Sequence, residues 1–237
     1  MSFPNVRLVT FDVTNTLLKF RIAPWEQYGI AAREFGYHGS NEELAQCLQM
    51  SYRDAWMQHP NFGQSSIGWR EWWRRVVHST FKDRLPPTAD MDMLTTRLIN
   101  QYKSESSWCL KHGADRLLTL LRARWLKLGV ISNFDPRLFE ILHNVNLANK
   151  FDFIVTSYES GYYKPDSRIF EYALERCPEI LATQALHIGD DIKKDYEAAK
   201  LAGWHAVLIN DDSTKAQYVF PSLNHLSDAI EENDFLC

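Results

Sequence analysis

Leu8-Val9-Thr10-Phe11-Asp12-Val13-Thr14-Asn15-Thr16-Leu17-Leu18 is the segment around which the rest of the chain is organised. An apolar run ends in a carboxylate, and small hydroxyl and amide residues follow. The pattern predicts a buried strand that delivers Asp12 to its C-terminal tip, with a tight turn beyond. In an open parallel sheet, ligands bind outside the C-terminal tips of the strands. Asp12 is therefore placed as a candidate nucleophile.

Beyond Leu18 the rhythm becomes helical. Trp25, Tyr28, Ile30, Ala31 and Phe35 suit one helix before Gly36. Leu44, Cys47, Leu48, Ser51, Tyr52 and Ala55 suit a second, with Asn41 as its N-cap ahead of Glu42 and Glu43. Trp69, Trp72, Trp73, Val76 and Val77 suit a third that ends near Phe81. After the Pro86-Pro87 break, Met91, Leu94, Leu98, Ile99 and Tyr102 suit a fourth. This reads as a compact all-helical insertion. Six of the eight tryptophans fall here (Trp25, Trp56, Trp69, Trp72, Trp73 and Trp108) and suit the core of a small helical unit. The polar run from Trp56 to Ser66 is the insertion's candidate for a substrate-facing loop.

From Gly113 strands and helices alternate. A helix over 114–125 precedes a strand over 126–133 that ends in Ser132-Asn133. A helix over 136–143, a strand over 151–157 and a helix over 166–176 follow, the last started by Pro165. A strand over 185–191 ends in Asp190-Asp191. A helix over 196–201 stops at Gly203, and Ala206-Val207-Leu208-Ile209 is a last strand. Alternation of this kind argues for a parallel sheet covered on both faces. The expected architecture is α/β: a Rossmann-like parallel sheet with helices on both faces, plus an inserted helical cap after the first strand. Residues 1–18 and 110–237 form a discontinuous core, and 19–109 the cap.

Composition narrows the function. With 237 residues, 45 % apolar and 24 % charged, the chain is of ordinary globular make-up. A net charge of -4 without a clustered basic face gives no reason to expect nucleic acid. Cys47, Cys109, Cys177 and Cys237 lack the spacing of a zinc site and suit reduced thiols inside a cell. Met1-Ser2-Phe3-Pro4-Asn5 meets a strand almost at once, which leaves no room for a secretory signal. No apolar run approaches ~18 residues, so no membrane span is expected. The expectation is a cytoplasmic protein, monomer or homodimer, with a small phosphorylated substrate.

That substrate class comes from the polar groups at the strand ends. Asp12 with Thr14, Ser132 with Asn133, Lys164 just past a strand, and Asp190 with Asp191 and Asp195 all lie toward one edge of the sheet. Asp12, Ser132-Asn133 and Lys164 each read alone more readily as a turn, a cap or a solvated side chain, and the Asp190, Asp191 and Asp195 group as readily as a helix cap. Together they suit phosphate chemistry. Converging carboxylates repel unless a cation neutralises them, and oxygen ligands without His or Cys suit Mg2+. A lysine holds a phosphate as a point charge and screens the carboxylate that must approach it. A serine hydroxyl and backbone amides at a strand–helix junction bind further phosphate oxygens. Asp12 is then placed for in-line attack on phosphorus.

Four motifs carry a resemblance: Phe11-Asp12-Val13-Thr14-Asn15-Thr16-Leu17-Leu18, Ile131-Ser132-Asn133, Ser157 to Asp166 with Lys164-Pro165, and Ile188-Gly189-Asp190-Asp191 with Asp195. The third and fourth are the most specific. The chain resembles the haloacid dehalogenase-like hydrolase superfamily over its whole core, and Ser132-Asn133-Phe134-Asp135-Pro136-Arg137 resembles one animal subfamily of it. The resemblance implies Asp12 as nucleophile and Mg2+ held by Asp12, the Thr14 carbonyl and Asp190. It implies Asp191 or Asp195 behind the metal waters or Lys164, with Ser132 and Lys164 on the transferred phosphoryl group and Asn133 beside them.

Thr14 departs from the pattern. Phosphatases of this family usually carry a second Asp two residues after the nucleophile, as general acid and base. A threonine hydroxyl has no useful pKa near neutrality. The expected activity is thus a slow Mg2+-dependent phosphohydrolase, or one restricted to good leaving groups. The alternatives are an inactive relative that keeps the fold as a binding or regulatory module, and a 2-haloacid dehalogenase, against which the acidic cluster argues.

Overall fold

The computed structural model describes residue 3, residues 5–210 and residues 216–233. Met1, Ser2, Pro4 and Cys237 lie outside them. By its internal contacts the chain forms two units, one of residues 1–19, 110–133 and 146–237, the other of residues 20–109 and 134–145.

The first unit is built on a six-stranded sheet. Its strands are β1 (Leu8–Phe11), β4 (Lys127–Ser132), β5 (Phe153–Thr156), β6 (Ala185–Gly189), β7 (His205–Ile209) and β8 (Val219–Phe220). The order is β5-β4-β1-β6-β7-β8, and every pairing is parallel. The chain runs from β1 outward through β4 and β5, then returns to the other side of β1 for β6 and β7. That reversal beside β1 is the topological switch point of a Rossmann-like sheet. All four residues of β1 are buried, which is why that strand is apolar on both faces but for Thr10 rather than alternating. Leu8, Ile131, Val155, Ile169, Phe170 and Leu208 share one core cluster. Helices Ala114–Ala123, Arg168–Leu174 and Leu223–Asn233 belong to this unit. A wide turn of π type, Ile192–Glu197, runs into the helix Ala198–Leu201 where one regular helix over 196–201 was predicted. A separate two-stranded sheet joins β2 (Leu18–Phe20) to β3 (Trp108–Leu110).

The second unit contains helices Pro24–Arg33, Asn41–Gln58, Trp69–Thr80 and Met91–Gln101. Tyr28, Ala32, Leu44, Val77, Phe81, Leu94 and Leu98 form its core. Ser40, not Asn41, caps the second helix: its hydroxyl accepts from the Glu43 amide at 3.2 Å. The two residues compete for one role, and the hydroxyl three residues before Glu43 has the reach. The run expected as a polar loop turns inward. Asn61, Phe62 and Gly63 all have left-handed φ, and Phe62 is buried against the rings of Trp56 and Trp72.

Residues 134–145 differ from the predicted boundaries, since they group with the helical unit. The segment carries a buried ion pair that Trp73 of the helical unit meets from the side. Arg137 donates through Nε to Asp135 Oδ1 at 2.9 Å and through Nη2 to Oδ2 at 2.6 Å. Trp73 Nε1 donates to the same Oδ2 at 2.8 Å, and the guanidinium lies 4.6 Å from the Trp73 ring centre. Among the described residues, no helix is long and apolar enough to cross a membrane.

Candidate active site

The strand tips of the first unit converge on Asp12. It follows β1 directly, and its amide donates to Ile188 O on β6 at 3.0 Å. The carboxylate is buried and anchored through one oxygen. Lys164 Nζ donates to Asp12 Oδ1 at 2.7 Å, and Ser132 Oγ, at the tip of β4, donates to it at 3.1 Å. Oδ2 has no hydrogen bond among the described residues and stays open.

Lys164 is 2 % exposed, where a lone loop lysine would ordinarily be solvated. Besides Asp12 it donates to Asp195 Oδ1 at 2.6 Å and to Ile131 O at 2.8 Å, so all three ammonium protons are used. Burial alone would lower its pKa, but Asp12 and Asp195 outweigh that and raise it. One ammonium shared by two carboxylates leaves them unequal. Burial pushes Asp12 up to about 7, against the pull of Lys164 and with that of Asp195. Burial acts the same way on Asp195, where the Lys164 charge and the His187 bond prevail and hold it below the usual range.

Asn133 is half-buried and sits beside Lys164 in a different sense from that expected. Its Oδ1 accepts from the Lys164 amide and its Nδ2 donates to the Lys164 carbonyl, both at 2.8 Å. This pair of bonds pins the Lys164 backbone and leaves Asn133 little to offer a substrate. Asp191 is likewise turned away. Its Oδ1 accepts from the amides of Lys193 and Lys194 at 2.9 Å, capping the turn that follows, and those donors with Lys194 outweigh burial to lower its pKa. Between Asp191 and Asp195, only Asp195 reaches Lys164.

Asp190 leaves β6 directly, and its Oδ1 accepts from Thr16 Oγ1 at 3.1 Å. Burial, with Asp195 nearby, raises its pKa. Thr14 is half-buried and bridges to Leu18 across the turn. Carboxylate oxygens of Asp12, Asp190 and Asp195 all lie within 4.8 Å of one another. Asp195 spends Oδ1 on Lys164 and His187 and Oδ2 on the Asp191 amide at 3.0 Å. Asp12 and Asp190 therefore keep more free coordination capacity than Asp195. Mutually repelling carboxylates with oxygen-only donors fit a hard divalent cation.

Gly189 is part of this geometry. A Cβ there would fall 2.2 Å from Asp195 Cγ, so Asp195 can lie across the strand end only over a glycine. Sequence reasoning missed Thr10, Thr16 and His187. Thr10 and His187 sat inside strands that read as core, and Thr16 read as turn chemistry. The one signal for His187 was a titratable group in a fully buried strand.

A parallel sheet that presents an aspartate beyond its central strand, with serine, lysine and paired carboxylates on neighbouring tips, defines the haloacid dehalogenase-like class of hydrolases. The model of the haloacid dehalogenase-like hydrolase family matches residues 6–203, and the chain belongs to that family. It is 37 % identical to the Rhythmically expressed gene 2 protein of Drosophila melanogaster, over 94 % of this chain and 94 % of that one. It is 36 % identical to the Haloacid dehalogenase-like hydrolase domain-containing protein 3 of Mus musculus, over 95 % and 94 %. Among solved structures, it is similar in fold to the magnesium-bound YfnB of Bacillus subtilis (TM-score 0.75, 22 % identity, 96 % of this chain and 99 % of that one). A 2-haloacid dehalogenase of Pseudomonas syringae is also similar (TM-score 0.69, 22 % identity, 95 % and 98 %).

Proposed function

We propose that this hydrolase is a Mg2+-dependent phosphohydrolase acting on a small phosphorylated metabolite through an aspartyl-phosphate intermediate. The observation that carries the reading is the Asp12 carboxylate, held at one oxygen by Lys164 and Ser132 and open at the other, beside Asp190. In this reading Asp12 attacks phosphorus, a bond forms from its carboxylate to phosphorus, and the ester oxygen departs with the bonding pair. Water then attacks the phosphorus, Asp12 leaves as a carboxylate, and of the two water protons one stays on the phosphate while the other reaches the departed ester oxygen through solvent. Lys164 screens the repulsion between Asp12 and the phosphoryl oxygens, and Ser132 orients Asp12 for attack. Asp12, Asp190 and the Thr14 carbonyl would hold the metal, which when bound supplies positive charge against the phosphoryl oxygens. Asp195 acts through Lys164. The dehalogenase alternative has no use for three converging carboxylates. Thr14 favours a second reading, a catalytically weak member that binds rather than turns over, because its hydroxyl cannot serve as the carboxyl that protonates the leaving oxygen.

The test is turnover of a panel of phosphomonoesters and acyl phosphates with and without Mg2+, alongside thermal melts with beryllofluoride. Mg2+-dependent turnover is expected, with a rise in Tm under beryllofluoride plus Mg2+ that Asp12→Asn abolishes. No turnover, and identical melts for wild type and Asp12→Asn, would sink the proposal.

A further inference from the structure

His187 lies on β6, fully buried, and its ring packs edge-on against Phe170 with centroids 5.0 Å apart. It is paired in register with Thr10 on the adjacent β1. Its Nδ1 lies 2.9 Å from Thr10 Oγ1 and its Nε2 3.3 Å from Asp195 Oδ1. These contacts fix the proton. Asp195 already receives Lys164 Nζ at 2.6 Å on the same oxygen, and an ionised carboxylate only accepts. Nε2 must therefore carry a hydrogen. In a neutral ring Nδ1 is then bare and accepts from the Thr10 hydroxyl. The bonds run in one direction, from Thr10 to His187 to Asp195, where Lys164 donates from the other side and reaches on to Asp12.

We propose that His187 is a positioning residue of the Asp12 site. As the Nε2–H tautomer that Asp195 demands and the Thr10 hydroxyl completes at Nδ1, it fixes the Asp195 carboxylate so that Asp195 holds Lys164 against Asp12. A buried histidine that merely fills space would be equally served by an apolar residue of its size. At this position an apolar residue would strip Asp195 Oδ1 of one of its two donors and leave the Thr10 hydroxyl only its long 3.5 Å contact to the Leu186 carbonyl. Asp195 would then be free to turn on its remaining bonds, and Lys164 would follow it. The effect on rate rests on the phosphohydrolase reading above; the tautomer and its bonds do not.

Two measurements on the full-length protein test the inference. The first is the 15N spectrum of the His187 imidazole at neutral pH. A bare Nδ1 and a protonated Nε2 are expected, and the Nδ1 signal should move in Thr10→Val, which removes its donor and keeps the side-chain shape. A protonated Nδ1, a doubly protonated ring, or a signal indifferent to Thr10→Val overturns the proposal even if no substrate is ever found. The second is steady-state kinetics on the best phosphoester of the panel. His187→Leu should lower kcat by about 10- to 100-fold, the loss seen when partners that orient an acting group are removed, with KM little changed. His187→Gln, whose amide can donate to Asp195 and accept from Thr10, should restore most of it. Equal loss in both variants, or none in His187→Leu, overturns the proposal. If His187→Leu does not fold, the spectrum and the Thr10→Val response decide. An inactive wild type would count against the phosphohydrolase reading and leave the spectral result to judge the positioning one.

Discussion

In the phosphohydrolase we propose, Asp12 and Thr14 sit two residues apart and pull the chemistry in opposite directions. Asp12 has what an attacking carboxylate needs: one oxygen anchored, one open, and an ammonium at 2.7 Å. Thr14 removes the carboxyl that would serve the leaving oxygen. General acid–base help is typically worth ~10²–10⁴-fold, so its absence is enough to make a competent site slow. Thr14→Asp should therefore raise kcat on alkyl phosphates by up to ~10²-fold. The gain should be much smaller on acyl phosphates, whose leaving groups need no proton. Initial rates on the two substrate classes check this, and an unchanged or lower rate on both would place the bottleneck elsewhere.

Among the elements, the segment that begins at the tip of β4 does two jobs in six residues. Ser132 and Asn133 close the Asp12 site, one on its carboxylate and the other on the Lys164 backbone. Asp135 and Arg137 then pair inside the helical unit, buried to 1 % and 5 % side-chain exposure. The helix Arg137–Asn144 starts on that pair: Asp135 Oδ1 also accepts the Arg137 amide at 3.0 Å. A buried pair of this kind is weak evidence for net stability, but breaking it is costly because a charge is left unpaired. Asp135→Asn should lower unfolding stability by about 3–5 kcal/mol, read from urea titrations of wild type and variant. A loss below about 1 kcal/mol, the scale of an exposed pair, would show that water reaches Arg137. The prediction that Asn41 caps the second helix belongs to this scale too. It failed by one residue, because capping depends on the φ and ψ of a single position, and periodicity does not report them.

For the molecule as a whole, acid stability depends on how the sheet buries His187. Burial lowers that pKa from 6.5 to about 4, with the Asp195 bond opposing. Below pH 6.5 the unfolded chain protonates this ring while the folded chain does not, so stability falls as pH falls through that window toward about 4. His187→Gln lacks the group. Its stability deficit relative to wild type should therefore shrink between pH 7 and pH 5, by an amount on the order of 1 kcal/mol per unit of pH at the steepest point. Denaturant midpoints at the two pH values measure it, and a constant deficit would mean that the ring protonates in the folded state.

Local pattern was enough to give the alternation of strands and helices, the buried β1, and the arrival of Asp12, Ser132 and Asp190 at strand tips. Apolar periodicity and turn residues are local properties, legible within a dozen residues. Only the tertiary structure decided the rest. Lys164 meets Asp12 across 152 residues, and Thr10 meets His187 across 177. Whether Asp191 or Asp195 faces Lys164 depends on the wide turn at Ile192–Glu197. Asn133 turns to the Lys164 backbone instead of outward, and residues 134–145 join the helical unit through a bond from Trp73. β8, the helix Leu223–Asn233 and the β2–β3 pair carried too little pattern to be read. Strand register and side-chain bonding are fixed by packing between segments remote in sequence, and no local pattern records which of several polar neighbours a buried donor will choose.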